Sequence, residues 1–193
     1  GTNTLDALNM VKQFREKDSE TPVVLMGYLN PVEVIGYERF VSIAHESGVD
    51  GVLLVDLPPE EAKDLDAVLK KYNMDQIFLL APTSTDQRIQ HVANQASGFI
   101  YYVSLKGVTG AATLDVAEAA ARIQKIKAVT DVPVGVGFGI SDAASAKAMG
   151  SVADAVIVGS AFVKPFANLA PEQAAKQAVN KVKELRAALD ELV

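Results

Sequence analysis

Short apolar runs of strand length recur along this sequence with amphipathic stretches between them, and this pattern most constrains the fold. Six runs rich in β-branched residues are predicted to be strands: Pro22–Gly27, Gly51–Val55, Gln76–Ala81, Phe99–Ser104, Val132–Val136 and Ala155–Val158. Nearly all positions within each run are apolar, which is typical of parallel strands covered on both faces. The run centres lie roughly 23–33 residues apart, the length of one strand with its following helix.

The stretches between the runs have the end signals of helices. Proline and acidic residues occupy the first turn at Pro58-Pro59-Glu60-Glu61, and Lys70-Lys71-Tyr72-Asn73 closes the same helix. The predicted helices include Thr4 to about Lys17, Pro58 to Asn73, Ser141 to Gly150, and Pro171 to nearly Val193. The alternation of strands and helices predicts an α/β fold with a parallel sheet.

Glycine-bearing stretches follow the last three predicted strands. They are Gly107-Val108-Thr109-Gly110, Gly137-Phe138-Gly139-Ile140-Ser141 and Gly159-Ser160. Glycine allows a ligand to approach the backbone closely, and N–H groups at a helix N-terminus bind phosphate. A (β/α)8 barrel has its phosphate site after its last strands, whereas an open doubly wound sheet has its glycine motif after the first strand. The pattern therefore favours a barrel with a phosphate site.

The number of strands is smaller than a closed barrel needs. Six strands are predicted instead of eight, and no strand precedes the opening helix. Two further strand–helix units would add roughly 50–70 residues and bring the total near the ~250 typical of this fold. We therefore expect residues 1–193 to form a single domain, the C-terminal three quarters of a (β/α)8 TIM barrel, with unpaired edges at its first and last strands.

Composition excludes several classes of function. The chain has 193 residues, of which 49% are hydrophobic, and its net charge of −6 argues against a nucleic-acid partner. It contains no cysteine, no apolar run long enough to span a membrane and no apolar leader. No cluster has metal-ligand spacing, and His45 and His91 are predicted to be surface or interhelical residues. These features predict a cytoplasmic enzyme without a metal.

Ligands of (β/α)8 barrels bind at the C-terminal ends of the strands, so the residues there are the candidate site. They are mostly aromatic or small: Tyr28, Asn30, Pro31, Asp56, Pro82, Thr83, Ser84, Tyr101, Ser104, Phe138, Gly159 and Ser160. This set suits a flat apolar group on one side and a phosphate on the other. Asp56 is the one acidic residue directly at a strand end, and a reaction that takes and gives a proton needs more than one such group.

Each candidate also has an explanation that needs no ligand. Tyr28 and Tyr101 fit a role as barrel-core tyrosines with satisfied hydroxyl groups. Asp56 fits a helix N-cap before Pro58-Pro59, since aspartate is favoured there. Turn formation is an alternative role for Thr109, and close packing is one for Gly137 and Gly139, although two glycines that flank Phe138 favour a loop that faces a ligand.

Six segments together resemble the family of tryptophan synthase α subunits, and the resemblance covers essentially the whole chain. They are Met26–Pro31, Val55–Pro58, Tyr101–Ser104, Lys106–Ala111, Gly137–Ser141 and Val158–Ala161. The resemblance implies retro-aldol cleavage of indole-3-glycerol phosphate to indole and glyceraldehyde 3-phosphate in tryptophan biosynthesis. It also implies an α2β2 complex in which the β subunit carries pyridoxal phosphate, while the α subunit uses no cofactor or metal.

The resemblance further assigns roles to residues of this chain. An indole and glycerol pocket would be lined by Tyr28, Leu79, Tyr101, Thr109 and Phe138. The phosphate would be held by Gly110, Gly139, Gly159 and Ser160. The segment after Ser104 would form a lid, and Asp56 and Pro58 would face the β subunit.

The family's two catalytic carboxylates, a Glu and an Asp, would lie upstream of Gly1 together with the two strands that the count lacks. We therefore expect this polypeptide to be inactive in the cleavage, as a truncated form of the subunit. Two other functions stay open from the residues: a non-catalytic regulatory subunit that binds a phosphorylated ligand, and another phosphate-binding TIM-barrel isomerase or epimerase. The residues upstream of Gly1 would distinguish these functions.

Overall fold

A computed structural model of the protein describes residues 2–104 and 115–192. The chain divides into two compact units, one formed by Gly1–Leu79 with Gln90–Ile100 and the other by Leu80–Ile89 with Tyr101–Val193. Parallel strands and amphipathic helices alternate along the chain, as the sequence predicts. None of the helices in the described ranges is long and apolar enough to cross a membrane.

The described elements follow one another in a regular order. They are α1 (Thr4–Arg15), β1 (Val24–Gly27), α2 (Leu29–Ile35), α3 (Tyr37–Ser47), β2 (Gly51–Leu54), a 3-10 turn (Pro59–Glu61), α4 (Lys63–Lys71), β3 (Asp75–Gln76), β4 (Phe78–Leu80), α5 (Asp86–Gln95), β5 (Ile100–Val103), α6 (Val116–Lys127), β6 (Val134–Gly137), α7 (Ala143–Gly150), β7 (Ala155–Ile157), α8 (Ser160–Phe166) and α9 (Pro171–Asp190). As predicted, α7 ends at Gly150 and α9 begins at Pro171. The predicted helix Pro58 to Asn73 is corrected: a 3-10 turn comes first, and α4 begins at Lys63 and ends at Lys71.

The predicted strand Gln76–Ala81 is two strands in the structure, and this is a correction. Ile77 still donates its N–H to the carbonyl of Val52 in β2 at 2.9 Å. From Phe78 onward the chain belongs to the other sheet, so β3 and β4 have different neighbours. An uninterrupted apolar run carries no signal for such an exchange of partners, because both halves of the run are buried.

Two short helices, α2 and α8, were not predicted as separate elements. α2 begins directly after Tyr28, whose side chain makes no capping hydrogen bond. α8 begins after Gly159 and contains Pro165 in its interior. Both helices lack the polar N-cap residue that marks a helix start in a sequence.

The two sheets have the strand orders β1-β2-β3 and β4-β5-β6-β7. In the first, Gly27 is paired with Leu54, and in the second Gly137 is paired with Ile157. The loops that follow paired parallel strands therefore start at the same edge of each sheet. β1 and β7 are terminal strands of their sheets, as predicted, and Met26 of β1 is 62% exposed.

Arg15 connects α1 to the start of the first sheet. Its Nε donates to the carbonyl of Gly48 at 2.8 Å, and its Nη2 lies 2.7 Å from Oδ2 of Asp50. The same Asp50 oxygen accepts the N–H of Val23 at 2.6 Å. The guanidinium is suited to this arrangement because it offers several donors in a fixed plane.

Asp154 has the corresponding position at the start of the second sheet. Its Oδ2 accepts the N–H of Val134 at 2.8 Å, and its Oδ1 accepts a hydrogen bond from Lys127 Nζ at 2.6 Å. Burial opposes ionisation of this carboxyl, but the hydrogen bonds from Lys127 and Val134 outweigh burial and hold its pKa below the ordinary 3.8. The ionised form therefore stabilises the folded chain.

We predict that Asp154→Asn makes the free energy of unfolding depend less on pH in the acidic range. The pKa of Asp154 is lower in the folded chain than in the unfolded one. The stability that its ionised carboxylate contributes is therefore complete above about pH 4 and is lost as the pH falls through the folded pKa. Urea unfolding midpoints between pH 3 and pH 7 measure the effect. Lys127→Ala should flatten the same limb in part, and an unchanged slope in both variants would contradict the assignment.

Candidate functional site

Tyr28 and Asp56 lie at the C-terminal ends of β1 and β2. Backbone hydrogen bonding between these two segments continues past the last strand residue of β2, since the N–H of Val55 donates to the carbonyl of Gly27 at 2.9 Å. Oδ1 of Asp56 then accepts the N–H of Leu29 at 2.7 Å. Leu29 is the first residue of α2, and Tyr28, its N-cap, is 65% exposed. Asp56 therefore holds the start of α2 beside an exposed aromatic ring.

The alternative that Asp56 caps the helix following it in sequence is wrong. Pro58 occupies the N-cap position of that 3-10 turn. The carboxylate instead bonds to a helix 27 residues earlier in the chain. Pro58 is half-buried and Leu79, in β4, is half-buried as well. The interface role of Asp56 and Pro58 stays a prediction.

A cavity of about 130 Å³ lies beside the end of β1, within the first unit. Its lining is largely apolar and includes Ala7, Met26, Tyr28 and Leu54. Pockets that enclose a small organic ligand usually measure about 300–1,000 Å³. This cavity therefore accommodates part of such a ligand at most.

In the second unit, Tyr101 of β5 packs against Gly137 of β6. A Cβ atom at Gly137 would lie 2.5 Å from Cε2 and Oη of Tyr101. Burial raises the pKa of the Tyr101 phenol. The close-packing explanation is therefore confirmed for Gly137, because only a residue without a side chain leaves room for this ring.

Phe138 is in a backbone conformation that is unusual for its residue type. Its φ is +87°, and its side chain is 49% exposed. A residue other than glycine in the left-handed region is strained by about 1–3 kcal/mol. Gly139 follows with φ +78° and has no such penalty. Strain of this kind is concentrated at functional sites, where surrounding contacts maintain it.

The helices after β6 and β7 begin in different ways. Asp142 caps α7, and its Oδ1 accepts the N–H of Ser145 at 2.8 Å. Gly159 is the N-cap of α8 and has no side chain with which to cap that helix. A Cβ atom at Gly159 would meet no atom of the described residues within 4 Å, and Ser160 is exposed. The N–H of Phe162 donates to the Gly159 carbonyl at 2.9 Å, so the approachable part of this helix start is Gly159 and Ser160. A helix N-terminus favours an anion at such a place.

Another cavity, of about 440 Å³, lies beside α8 and α9. Its polar lining includes Gln177, Asn180, Lys181 and Glu184, and Lys181 Nζ lies 3.1 Å from Glu184. The lysine charge is thus already compensated. Ser141, at the end of one glycine-bearing stretch, lines this cavity, but none of the described glycines and aromatic residues predicted to bind a ligand does. We therefore do not assign the candidate site to it.

Two predicted site residues, Thr109 and Gly110, lie outside the described residues, as does the predicted lid. Among residues 2–104 and 115–192, no group of three or more His, Asp or Glu side chains is arranged to hold a metal ion. The rings of His45 and Tyr72 lie 5.5 Å apart, and His91 Nδ1 lies 2.9 Å from Glu60. Both histidines therefore have the surface or interhelical positions that the sequence predicts.

We predict that Gly137→Ala and Gly159→Ala differ in stability. Alanine at Gly137 must displace the Tyr101 ring, and overpacking of this kind costs about 1–3 kcal/mol. Alanine at Gly159 meets open space and should leave the free energy of unfolding within about 0.5 kcal/mol of the parent. Urea denaturation of both variants measures this, and equal destabilisation would contradict it.

We also predict that Asp56→Ala destabilises the chain by about 1 kcal/mol, since it removes a hydrogen bond to a charged acceptor at the surface. Asp56→Asn keeps an oxygen acceptor and should lose less than half of that. The measurement is the urea midpoint, with tyrosine fluorescence as a probe because the chain has no tryptophan. An alanine variant as stable as the parent would show that the bond to Leu29 contributes nothing.

Comparison with known proteins agrees with this geometry. The family model described as "Tryptophan synthase alpha chain" matches residues 1–193. The tryptophan synthase alpha chain of Acinetobacter baumannii is 84% identical over 193 residues, which cover all of this chain and 72% of that protein. The chain therefore spans about three quarters of the length of this curated relative.

Solved structures give the same result for the fold. The tryptophan synthase alpha chain of Legionella pneumophila superimposes with a TM-score of 0.87 at 38% identity, covering 99% of this chain and 71% of that one. A structure of the tryptophan synthase α2β2 complex of Pyrococcus furiosus gives a TM-score of 0.86 at 35% identity, covering 97% and 75%. The predicted fold class, a (β/α)8 barrel with part of its strands, is confirmed. This chain belongs to the tryptophan synthase alpha chain family.

Proposed function

We propose that this chain holds indole-3-glycerol phosphate for retro-aldol cleavage to indole and glyceraldehyde 3-phosphate, as an α subunit beside a β subunit. The observation that carries the proposal is the loop pair after β6 and β7. The strained Phe138-Gly139 turn and the start of α8, whose N-cap is a glycine, lie at one edge of the same sheet. An exposed aromatic ring and an open helix N-terminus suit the two ends of this substrate.

The phosphate is proposed to bind the backbone N–H groups of Gly139 and Gly159 and the N–H and hydroxyl of Ser160. Gly110 joins this set through the family resemblance. The absence of a Cβ at Gly159 lets the phosphate reach the helix N-terminus. The helix dipole adds to the attraction, because the charge of the phosphate meets the positive end.

The indole and glycerol groups are proposed to contact aromatic and apolar side chains. Tyr101 and Phe138 are supplied by the second unit, and Tyr101 is already held against Gly137. The resemblance adds three further contacts: Tyr28, Leu79 and Thr109. A flat aromatic ligand gains dispersion and stacking contacts from such rings, which orient it without any charged group.

The cleavage itself requires two proton transfers. A base removes the proton of the glycerol hydroxyl beside the scissile bond, the C–C bond breaks, and an acid protonates the indole carbon. Asp56, the carboxylate at a strand end, already accepts the Leu29 N–H and serves α2. We therefore propose that Asp56 takes no part in the proton transfers and that the family's Glu and Asp supply them.

The remaining proposals follow from the family. The chain works in the cytoplasm, without a cofactor of its own, and passes indole to a β subunit that carries pyridoxal phosphate. Asp56 and Pro58 face that subunit. Residues 1–193 act as one domain in this complex.

Calorimetric titration with indole-3-glycerol phosphate tests the binding proposal. Gly159→Ala should weaken the affinity about tenfold, since a methyl group then stands between the phosphate and the helix N-terminus. Its stability should stay that of the parent, so a loss of binding is not a loss of folding. The matched control is Lys176→Ala, which removes an exposed positive charge from α9 and should not change the affinity.

An indole-release assay on the same protein tests the proposal that Asp56 takes no part in the cleavage. The rate of indole release should be the same in the parent chain and in Asp56→Ala, because that carboxylate serves α2. A loss of indole release in a folded Asp56→Ala that still binds the substrate would overturn this assignment and would make Asp56 a base. No binding by the parent chain would overturn the proposed function as a whole.

A further inference from the structure

Ser104, the residue directly after β5, holds both carbonyl groups that flank Phe138. Its N–H donates to the carbonyl of Gly137 at 3.0 Å. Its hydroxyl donates to the same oxygen at 2.9 Å and lies 3.3 Å from the carbonyl oxygen of Phe138. One polar residue thus contacts the backbone on both sides of the strained position.

The directions of these two carbonyls depend on the backbone angles of Phe138. If φ of Phe138 relaxed from +87° to a negative value, the adjoining peptide planes would rotate and the carbonyls would turn away from Ser104. Hydrogen bonds to Ser104 therefore stabilise the strained form over the relaxed one. The Tyr101 ring against Gly137 supports the same turn from the preceding strand.

We propose that Ser104 is a positioning residue that keeps Phe138 in its strained conformation. In that conformation the Phe138 ring is exposed and the next N–H, that of Gly139, begins the glycine turn. Loss of the hydroxyl would let the ring and the Gly139 N–H move together. Which ligand contacts the positioned Phe138 ring rests on the proposed function. The effect of Ser104 on the backbone of Phe138 does not rest on it.

The backbone effect is tested by combining Ser104→Ala with Phe138→Gly. Glycine adopts positive φ without strain, so it removes the conformation that Ser104 must hold. Ser104→Ala should lower the folding equilibrium constant about tenfold in the parent. In the Phe138→Gly background the same change should cost clearly less. If Ser104→Ala alone does not fold, recovery of folding in the double variant gives the same answer.

The matched control is Ser151→Ala, which removes a hydroxyl that donates to the Ala148 carbonyl at 2.8 Å in the same unit. Its effect on stability should be the same with phenylalanine or glycine at position 138. Ser104→Thr keeps a hydroxyl and should behave like the parent. An equal cost of Ser104→Ala in both backgrounds would overturn the proposal.

Measurements of ligand binding and of NMR resonances distinguish a positioning role of Ser104 from a purely stabilising one. Ser104→Ala should weaken the affinity for indole-3-glycerol phosphate about tenfold and shift the backbone resonances of Phe138 and Gly139, and Ser104→Thr should restore both. Unchanged affinity and resonances in a folded Ser104→Ala would overturn the proposal. If the parent does not bind the ligand, the proposed function fails, while the double-variant cycle and the resonances still decide the role of Ser104.

Discussion

The register of the parallel strands is the constraint on which the remaining features depend. Backbone pairing sets Gly27 opposite Leu54 and Gly137 opposite Ile157, so the chain leaves neighbouring strands at matched heights. Side chains and backbone groups that are far apart in sequence then meet at the same edge of a sheet. A shift by one residue would turn every side chain of a strand to the opposite face and would separate these groups.

In both sheets an ion pair lies at the edge where the strands begin, opposite the edge with the glycine turns. Arg15 with Asp50 closes the start of the first sheet, and Asp154 with Lys127 closes the start of the second. In each case a carboxylate also accepts a backbone N–H, from Val23 just before β1 or from Val134 at the start of β6. Charged groups thus anchor the ends of strands that are otherwise held by backbone bonds and apolar packing, and the glycine turns lie at the other ends.

Much of the fold could be predicted because apolar runs and helix ends leave a direct trace in sequence. The start of α7 at Asp142 and the start of α9 at Pro171 are local signals, since a cap or a proline acts on its own helix. The division of Gln76–Ala81 between two sheets has no such trace. Gln76, Ile77, Phe78 and Leu80 are all buried, and only the positions of their neighbours decide which sheet each half joins.

The candidate site likewise has features that the sequence predicts and features that it does not. By itself the sequence determined the family, the glycine turns and the aromatic residues at the strand ends, because these depend on residue type and order. The tertiary structure decided that Asp56 caps α2, that Gly137 makes room for Tyr101, and that Ser104 holds the strained turn at Phe138. The Asp56 and Ser104 hydrogen bonds join residues 27 and 33 positions apart, and such partners are set by strand register rather than by local sequence.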